Sequence, residues 1–466
     1  MALILNIDNI KQILILLVLL LLSYTASSQG CLPHGISFST QNQINSFQIN
    51  NPGCSEIGGF VTITGTDINS LNGLSVVTSI AGDLWIANTS LSNLSGLDNL
   101  ISLGGILYLF NNDSLYNLTG LEGLDTISRD VACRFNTNLS SFIGLDSVTI
   151  IEGFLWIEGC HNLANFNGLD NLTRIDGNVK IISNNSLISL LGLQSLSSIG
   201  GEFEIWLNCS LGNFTGFENT TSIGEILSIG NNENLISLTG LDNLTTIGGD
   251  LFLYSNDALT NITGLASLAS IGGSLAITDN NSLASIQNLY NLTSIGAQII
   301  LNNNDVLNNL TGLNNIDSST ITGLYILNNN LLSHCEAKSI CDYLAIPGGT
   351  IDIHDNAHGC NSQEEVEVAC DTLSILDKGF NLELTISPNP LHTQAKIEIV
   401  GAIHELTLHN NQIIEFYLFD FLGREVFRTI ITSSPYILKR QGLPNGMYIW
   451  KAVGITGITT GKLVIE

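Results

Sequence analysis

The sequence predicts a mainly β protein: a β-solenoid of about 13 rungs with disulfide-stapled caps, followed by a small C-terminal antiparallel β-sandwich. Three observations carry this. Between Val61 and Ile353, two apolar residues flanking one variable residue recur thirteen times, every 23 to 27 residues. Each short strand is followed by the same framework of Asn, Leu and Gly. Beyond residue 383 that period stops and two-residue alternation broken by Asn, Gly and Pro begins.

Taken in order, residues 1–28 are expected to be a secretory signal peptide. Lys11 leads into the apolar block from Ile13 to Leu22, too short to span a bilayer, and Ala26, Ser27 and Ser28 supply the small residues of a cleavage site. Lipidation at Cys31 is the weaker reading, because Ser28 stands where such signals carry Leu. The mature chain is expected to have no integral membrane span. Residues 29–60 are read as an N-terminal cap stapled by Cys31 and Cys54, since export makes cysteines available for disulfides.

The solenoid is assigned to residues 61–356, with strands starting at Val61, Leu84, Leu107, Val131, Leu155, Val179, Phe203, Leu227, Leu251, Leu275, Ile299, Leu324 and Ile351. The eight steps from Leu107 to Ile299 are each 24 residues. One unit cannot bury its own apolar face, so neighbours must stack, and at about 4.8 Å per rung the stack would run roughly 60 Å. Asn at the fifth place after the strand start recurs at Asn112, Asn136, Asn184, Asn208, Asn232, Asn256, Asn280, Asn304 and Asn329. Because Asn tolerates left-handed backbone and bonds its own turn, these residues predict an internal Asn ladder. The Asn-x-Ser/Thr triplets at Asn93, Asn171, Asn243 and Asn291 follow from the same spacing.

Residues 357–375 are read as a C-terminal cap. Cys335, Cys341, Cys360 and Cys370 cluster there, permitting three pairings that the sequence does not rank, and Ser333 to Glu336 and Ser362 to Glu365 both read as helix capping boxes. Cys133, at an inward strand position, and Cys160 and Cys209, in turns two rungs apart, are expected to stay reduced.

Residues 376–383 read as a linker and 384–466 as the sandwich. That last segment carries Pro388-Asn389-Pro390, the turn Asp420-Phe421-Leu422-Gly423-Arg424-Glu425, the strand Asn445-Gly446-Met447-Tyr448, and the ending Gly461-Lys462-Leu463-Val464-Ile465. In that order at the C-terminus, these residues resemble the type A C-terminal sorting domain of the bacterial type IX secretion system; the longer stretch from Gly401 to Gln412 departs from its pattern. The resemblance implies a partner, the type IX secretion machinery acting through residues 384–466. It also implies export across the outer membrane, removal of the domain, and often attachment to surface lipopolysaccharide. The repeats, over roughly residues 44–371, are similar to the receptor L domain, which implies a right-handed leucine-rich-repeat-like solenoid.

Alternation places the first and third residues of each strand inside and the second and fourth outside. The outward positions include Trp85, Tyr108, Phe110 and Trp156 in one group and Trp206, Phe252 and Tyr254 in another, with Tyr325 further on. Aromatic rings held on a rigid sheet offer large contact area at little entropic cost, so these seven are the candidate ligand-binding residues, for a glycan or a protein. Arg134 with Glu158 and Lys180 with Glu204, one rung apart, are expected to be ladder ion pairs.

Composition narrows the functional classes. Residues 29–376 hold 32 Asp and Glu against 5 Lys and Arg, a net charge of -27, whereas residues 377–466 hold 8 of each. Such a surface repels nucleic acid and anionic membranes. No nucleophile elbow, zinc-protease helix or phosphate-binding loop occurs, and the outward carboxylates are scattered, so no enzyme, cofactor or metal is expected. A polysaccharide-acting enzyme on a β-helix scaffold is the alternative. The polar run Asp352-Ile353-His354-Asp355 with His358 reads as a turn rather than a metal site.

Overall fold

The computed structural model describes residues 30–377, 383–400, 414–431, 435–440, 442–454 and 457–466. The signal-peptide segment, most of the linker and the stretch from Gly401 to Gln412 lie outside the described residues. Two compact units divide at Glu367 and Val368, within the helix Gln363–Asp377.

The first unit is a parallel solenoid. Its largest sheet has fourteen strands in chain order, from Ile36–Phe38 through Val61–Thr64 to Thr350–His354. Thirteen of these begin on or one residue before the starts expected above; rungs are numbered from Val61 as rung 1. Ile36–Phe38, within the segment read as a cap, adds a strand by pairing with Val61, Thr62 and Ile63. Register is first residue to first residue throughout, as in Leu155 with Val179 and Ile157 with Ile181. The inward Leu, Ile and Val of successive strands therefore stack on one another and are buried, and each contributes about 1.5–3 kcal/mol before entropy is subtracted.

A second, narrower sheet runs along another side. Eight two-residue strands, from Thr126–Ile127 to Ser294–Ile295, pair in parallel. Its glycines are dictated by backbone approach: a Cβ at Gly248 would lie 2.0 Å from the Gly224 carbonyl oxygen, and one at Gly272 would lie 2.0 Å from that of Gly248.

Inside the turns after most of the main strands lies the Asn ladder, with Asn112, Asn136, Asn184 and their successors to Asn329 wholly buried. Each Asn except Asn136, whose successor is Cys160, gives its backbone N–H to the next Asn Oδ1, 3.0 Å from Asn184 to Asn208, and each gives its Nδ2 to a strand carbonyl of the preceding rung, 3.1 Å to Ile157 O. Asn356 ends the series by accepting from Asn329 at 3.0 Å. The left-handed residue is not the ladder Asn but the one before it, with φ between 52° and 67° from Asn88 and Asn111 to Asn328 and Asp355. The turn separates the two properties, because the ladder side chain must point inward while its predecessor reverses the backbone.

A third corner explains part of the acidic excess. Gly96, Gly120, Gly144, Gly168, Gly216 and Gly240 adopt φ of 101° to 113°. Each donates its N–H to the carboxylate two residues on: Asp98, Glu122, Asp146, Asp170, Glu218 and Asp242. The triplet asparagines Asn171, Asn243 and Asn291 donate their amides to carbonyls of the preceding rung, so they also hold the stack.

Cys31 is bonded to Cys54 and Cys335 to Cys360, while Cys341 and Cys370 are also disulfide-bonded. The free thiols are Cys133, Cys160 and Cys209. The helix Lys338–Ala345 does not use the Ser333 box expected for it: its N-cap is Ala337, and the Lys338 N–H is met at 2.9 Å by Asn314 Oδ1 of the neighbouring rung. At the next helix, Ser362 Oγ accepts from Glu365 N at 3.2 Å and the Glu365 carboxylate reaches back to the N–H groups of Asn361 and Gly359.

The second unit holds two antiparallel sheets. Three strands, Glu383–Ser387, Gln394–Val400 and Tyr436–Lys439, form one; Glu425–Ile431, Ile414–Phe419, Gly446–Gly454 and Gly457–Ile465 form the other. Leu391, Ile397, Phe416, Leu418, Leu438, Trp450 and Leu463 are among its core residues. Its motif residues meet in space. Asn389 accepts from Val464 N and donates to Lys462 O, both at 2.8 Å, joining the Pro-Asn-Pro opening to the final strand. Asp420 accepts the N–H groups of Leu422 and Arg424 and the Arg424 guanidinium around Gly423, which has φ 78°.

Candidate functional site

On the outer face of the main sheet, the second and fourth strand residues form two columns. One runs Trp85, Tyr108, Ala132, Trp156, Lys180, Glu204, Ser228 and Phe252; the other runs Ala87, Phe110, Arg134, Glu158, Ile182, Trp206, Gly230 and Tyr254. Large rings alternate with small residues, and the rings settle over the gaps. Ala87, Ala132, Ser228 and Gly230 are consequently buried although they face outward. Among the seven aromatic candidates, Trp85 is 46% exposed and the other six are half-buried.

Rungs 2 to 5 carry a connected track of rings. Trp85 meets Tyr108 edge-on at 4.6 Å, Tyr108 lies parallel to Phe110 at 6.0 Å, and Phe110 meets Phe135 edge-on at 5.8 Å. Arg134 closes it: its guanidinium lies 4.0 Å from the Trp156 ring centre and 5.4 Å from that of Phe135. Glu158 accepts from Arg134 Nε at 2.8 Å, and Tyr108 Oη lies 3.4 Å from Nη1. Phe154 extends the track to Trp156 at 6.4 Å. The Trp156 indole N–H is buried without a hydrogen-bond partner, an arrangement that costs about 1–3 kcal/mol.

Rungs 7 to 9 carry the second group. Trp206 and Tyr254 sit two rungs apart, yet their rings meet at 5.3 Å and 89°. Gly230 between them permits it, since a Cβ there would lie 2.2 Å from Tyr254 Cζ. Trp206 Nε1 donates to Ser228 Oγ at 3.2 Å. Burial, then the charge of Glu204, push the Tyr254 phenol up to about 12. Phe252 is half-buried in the other column, in register with Ser228 and Ala276. Both expected ion pairs form, Arg134 with Glu158 at 2.8 Å and Lys180 with Glu204 at 2.9 Å.

Two residues of these groups escape an alternation rule because they follow the strand. Phe135 and Leu207 occupy the left-handed position, with φ of 55° and 57°, where the other rungs from rung 2 onward have Asn, Ser, Asp or Gly. That conformation costs a side chain with a Cβ about 1–2 kcal/mol. Phe135 is 38% and Leu207 45% exposed. The signal was present in the sequence as two apolar residues in an otherwise polar column.

Near the C-terminal cap, His354 lies 3.4 Å from Asp352 and 2.8 Å from Asp355, on exposed side chains. Among the described residues, no three His, Cys, Asp or Glu side chains gather as a metal site would need. Nor is any described helix long and apolar enough to cross a membrane.

Fold and face together define a parallel repeat solenoid with an aromatic outer face, and its disulfides fit an extracellular protein. Residues 53–142 match the receptor L domain family, so the chain is similar to that family over the N-terminal rungs. No curated protein matches the chain.

Proposed function

We propose that this chain is an exported, non-catalytic recognition protein that binds a glycan or a protein ligand on the outer face of its main sheet. The observation that carries the reading is the connected track from Trp85 to Trp156, gathered around an Arg134 whose charge Glu158 already balances. A charge-neutral aromatic surface on a rigid sheet suits recognition, and its carboxylates Glu158 and Glu204 are engaged in ion pairs with Arg134 and Lys180. Similarity to the receptor L domain supports the same class.

Residues 1–28 would direct export, and residues 384–466 would act as a type IX sorting domain, delivering the solenoid through the outer membrane to the surface or the medium. Support for the latter comes from the order of its motifs and from a separate antiparallel unit in which Asn389 and Asp420 hold the opening and the turn together. Secretion of a chain truncated after residue 383 tests it: arrival in the medium at the full-length level would remove the assignment. For the ligand, a glycan array and a panel of surface proteins should be probed with wild type and with the triple variant Trp85→Ala/Trp156→Ala/Trp206→Ala. Binding should fall by about tenfold or more in the variant; unchanged binding would sink the aromatic-face reading.

A further inference from the structure

Resting on that reading, we propose that Phe135 and Leu207 are ligand-contacting posts that bracket one binding segment, and that the ligand is an uncharged linear glycan. They are the two bulky apolar residues in the left-handed column of the rungs, and each adjoins one aromatic group: Phe135 follows Arg134, and Leu207 follows Trp206. Strained backbone and exposed apolar surface at the same residue are two costs that the other rungs from rung 2 onward avoid by using Asn, Ser, Asp or Gly; the one other left-handed apolar residue among the described residues, Leu32, precedes the rungs. Nothing in the turn requires them, since those residues make the same turn.

Between the posts the column holds only Gly159 and Ser183. Gly159 is matched to its neighbour: a Cβ there would stand 2.7 Å from Phe135 Cδ1, so its absence lets the ring lie down over rung 5. Rungs 4 and 7 are three steps apart, about 14 Å, and the four-residue strands are about 13 Å long. The bracketed surface is thus roughly 200 Å², against about 800 Å² per partner in a stable protein interface. An area of that size fits a few sugar rings, whose C–H faces stack on aromatic side chains, better than a folded protein.

Charge selects within glycans. Both cations of the face are neutralised, Arg134 by Glu158 and Lys180 by Glu204, and the surrounding solenoid is strongly acidic. A polyanion would meet repulsion with no free cation on this face to offset it.

The test uses the mature protein and four probes, with laminarin, xylan and mannan as uncharged polysaccharides and alginate as the anionic one. Wild type, Phe135→Asn, Leu207→Asn, their double variant and the triple Trp variant are compared by affinity electrophoresis and calorimetry. Wild type should bind an uncharged probe, and the double variant should bind it about tenfold or more weakly while its Tm holds or rises by about 2 °C, because Asn relieves the strain. A purely structural role predicts the opposite pair of results. Undiminished binding in the double variant, with loss in the Trp variant, would overturn the posts and leave the aromatic-face reading standing. Undiminished binding in the Trp variant would overturn that reading itself. Preference for alginate, or wild type binding none of the probes, would overturn the ligand class.

Discussion

Cys160 stands where the ladder would have Asn, and its thiol takes over both roles. Its backbone N–H still donates to Asn184 Oδ1 at 3.0 Å, its Sγ lies 3.5 Å from the Cys133 carbonyl, and the sulfur receives the Asn136 N–H. Sulfur is a weak donor and acceptor, so the ladder is weakest here. Cys160→Asn should raise stability by about 1 kcal/mol, read as a higher denaturation midpoint; a lower midpoint would mean that the cavity is shaped for sulfur. Burial pushes the Cys160 thiol up to about 12 and the Cys133 thiol well above its ordinary value. Alkylation of the native protein should therefore label neither. Tyr254 offers a titration with a defined sign. Its folded value, about 12, lies above the roughly 10 of an unfolded chain. The stability it contributes is complete below pH of about 10 and lost as pH climbs toward 12. Tyr254→Phe should flatten alkaline destabilisation in that window, and an ultraviolet titration should show one late-ionising phenol fewer.

At the scale of the element, the two kinds of glycine contact separate sharply. A Cβ at Gly248 would strike a backbone carbonyl at 2.0 Å, whereas one at Gly230 would strike the end of the Tyr254 side chain, which can rotate away. Gly248→Ala should cost about 3 kcal/mol or more, while Gly230→Ala should cost far less but displace Tyr254 and change Trp206 fluorescence. Strand positions were legible in the sequence because a buried face permits only one register. The first strand, Ile36–Phe38, was hidden because it has only three residues and precedes the full repeat. The capping of Lys338–Ala345 was illegible for another reason: its partner Asn314 is 24 residues away and becomes a neighbour only when rungs stack. Half-burial of Trp156 and Trp206 likewise depends on Ala132 and Gly230 in adjacent rungs, which alternation along one strand cannot convey.

For the molecule as a whole, the question is how a solenoid of net charge -27 stays folded. Part of the answer is that rows of carboxylates, such as Asp98, Glu122, Asp146 and Asp170, each bind a glycine N–H. Stacking still sets like charges about 4.8 Å apart along a row, inside the screening length of dilute buffer. Raising NaCl from about 0.05 to 0.5 M should therefore raise Tm, and a flat response would mean that the turn bonds already compensate the repulsion.

The bonds of the Asn ladder reach no further than the rung before or after, and, except at Thr89 and Cys160, those neighbours present the same atoms at the same places. Among the Asn rungs, removing or inserting 24 residues would leave each remaining turn facing a partner with the same ladder atoms as the one it lost. The number of rungs is therefore not fixed by the chemistry of the stack. Tandem duplication can lengthen such a stack, and in-frame deletion shorten it, without any compensating substitution, so the length of the solenoid can change while the surface of each remaining rung stays as it was.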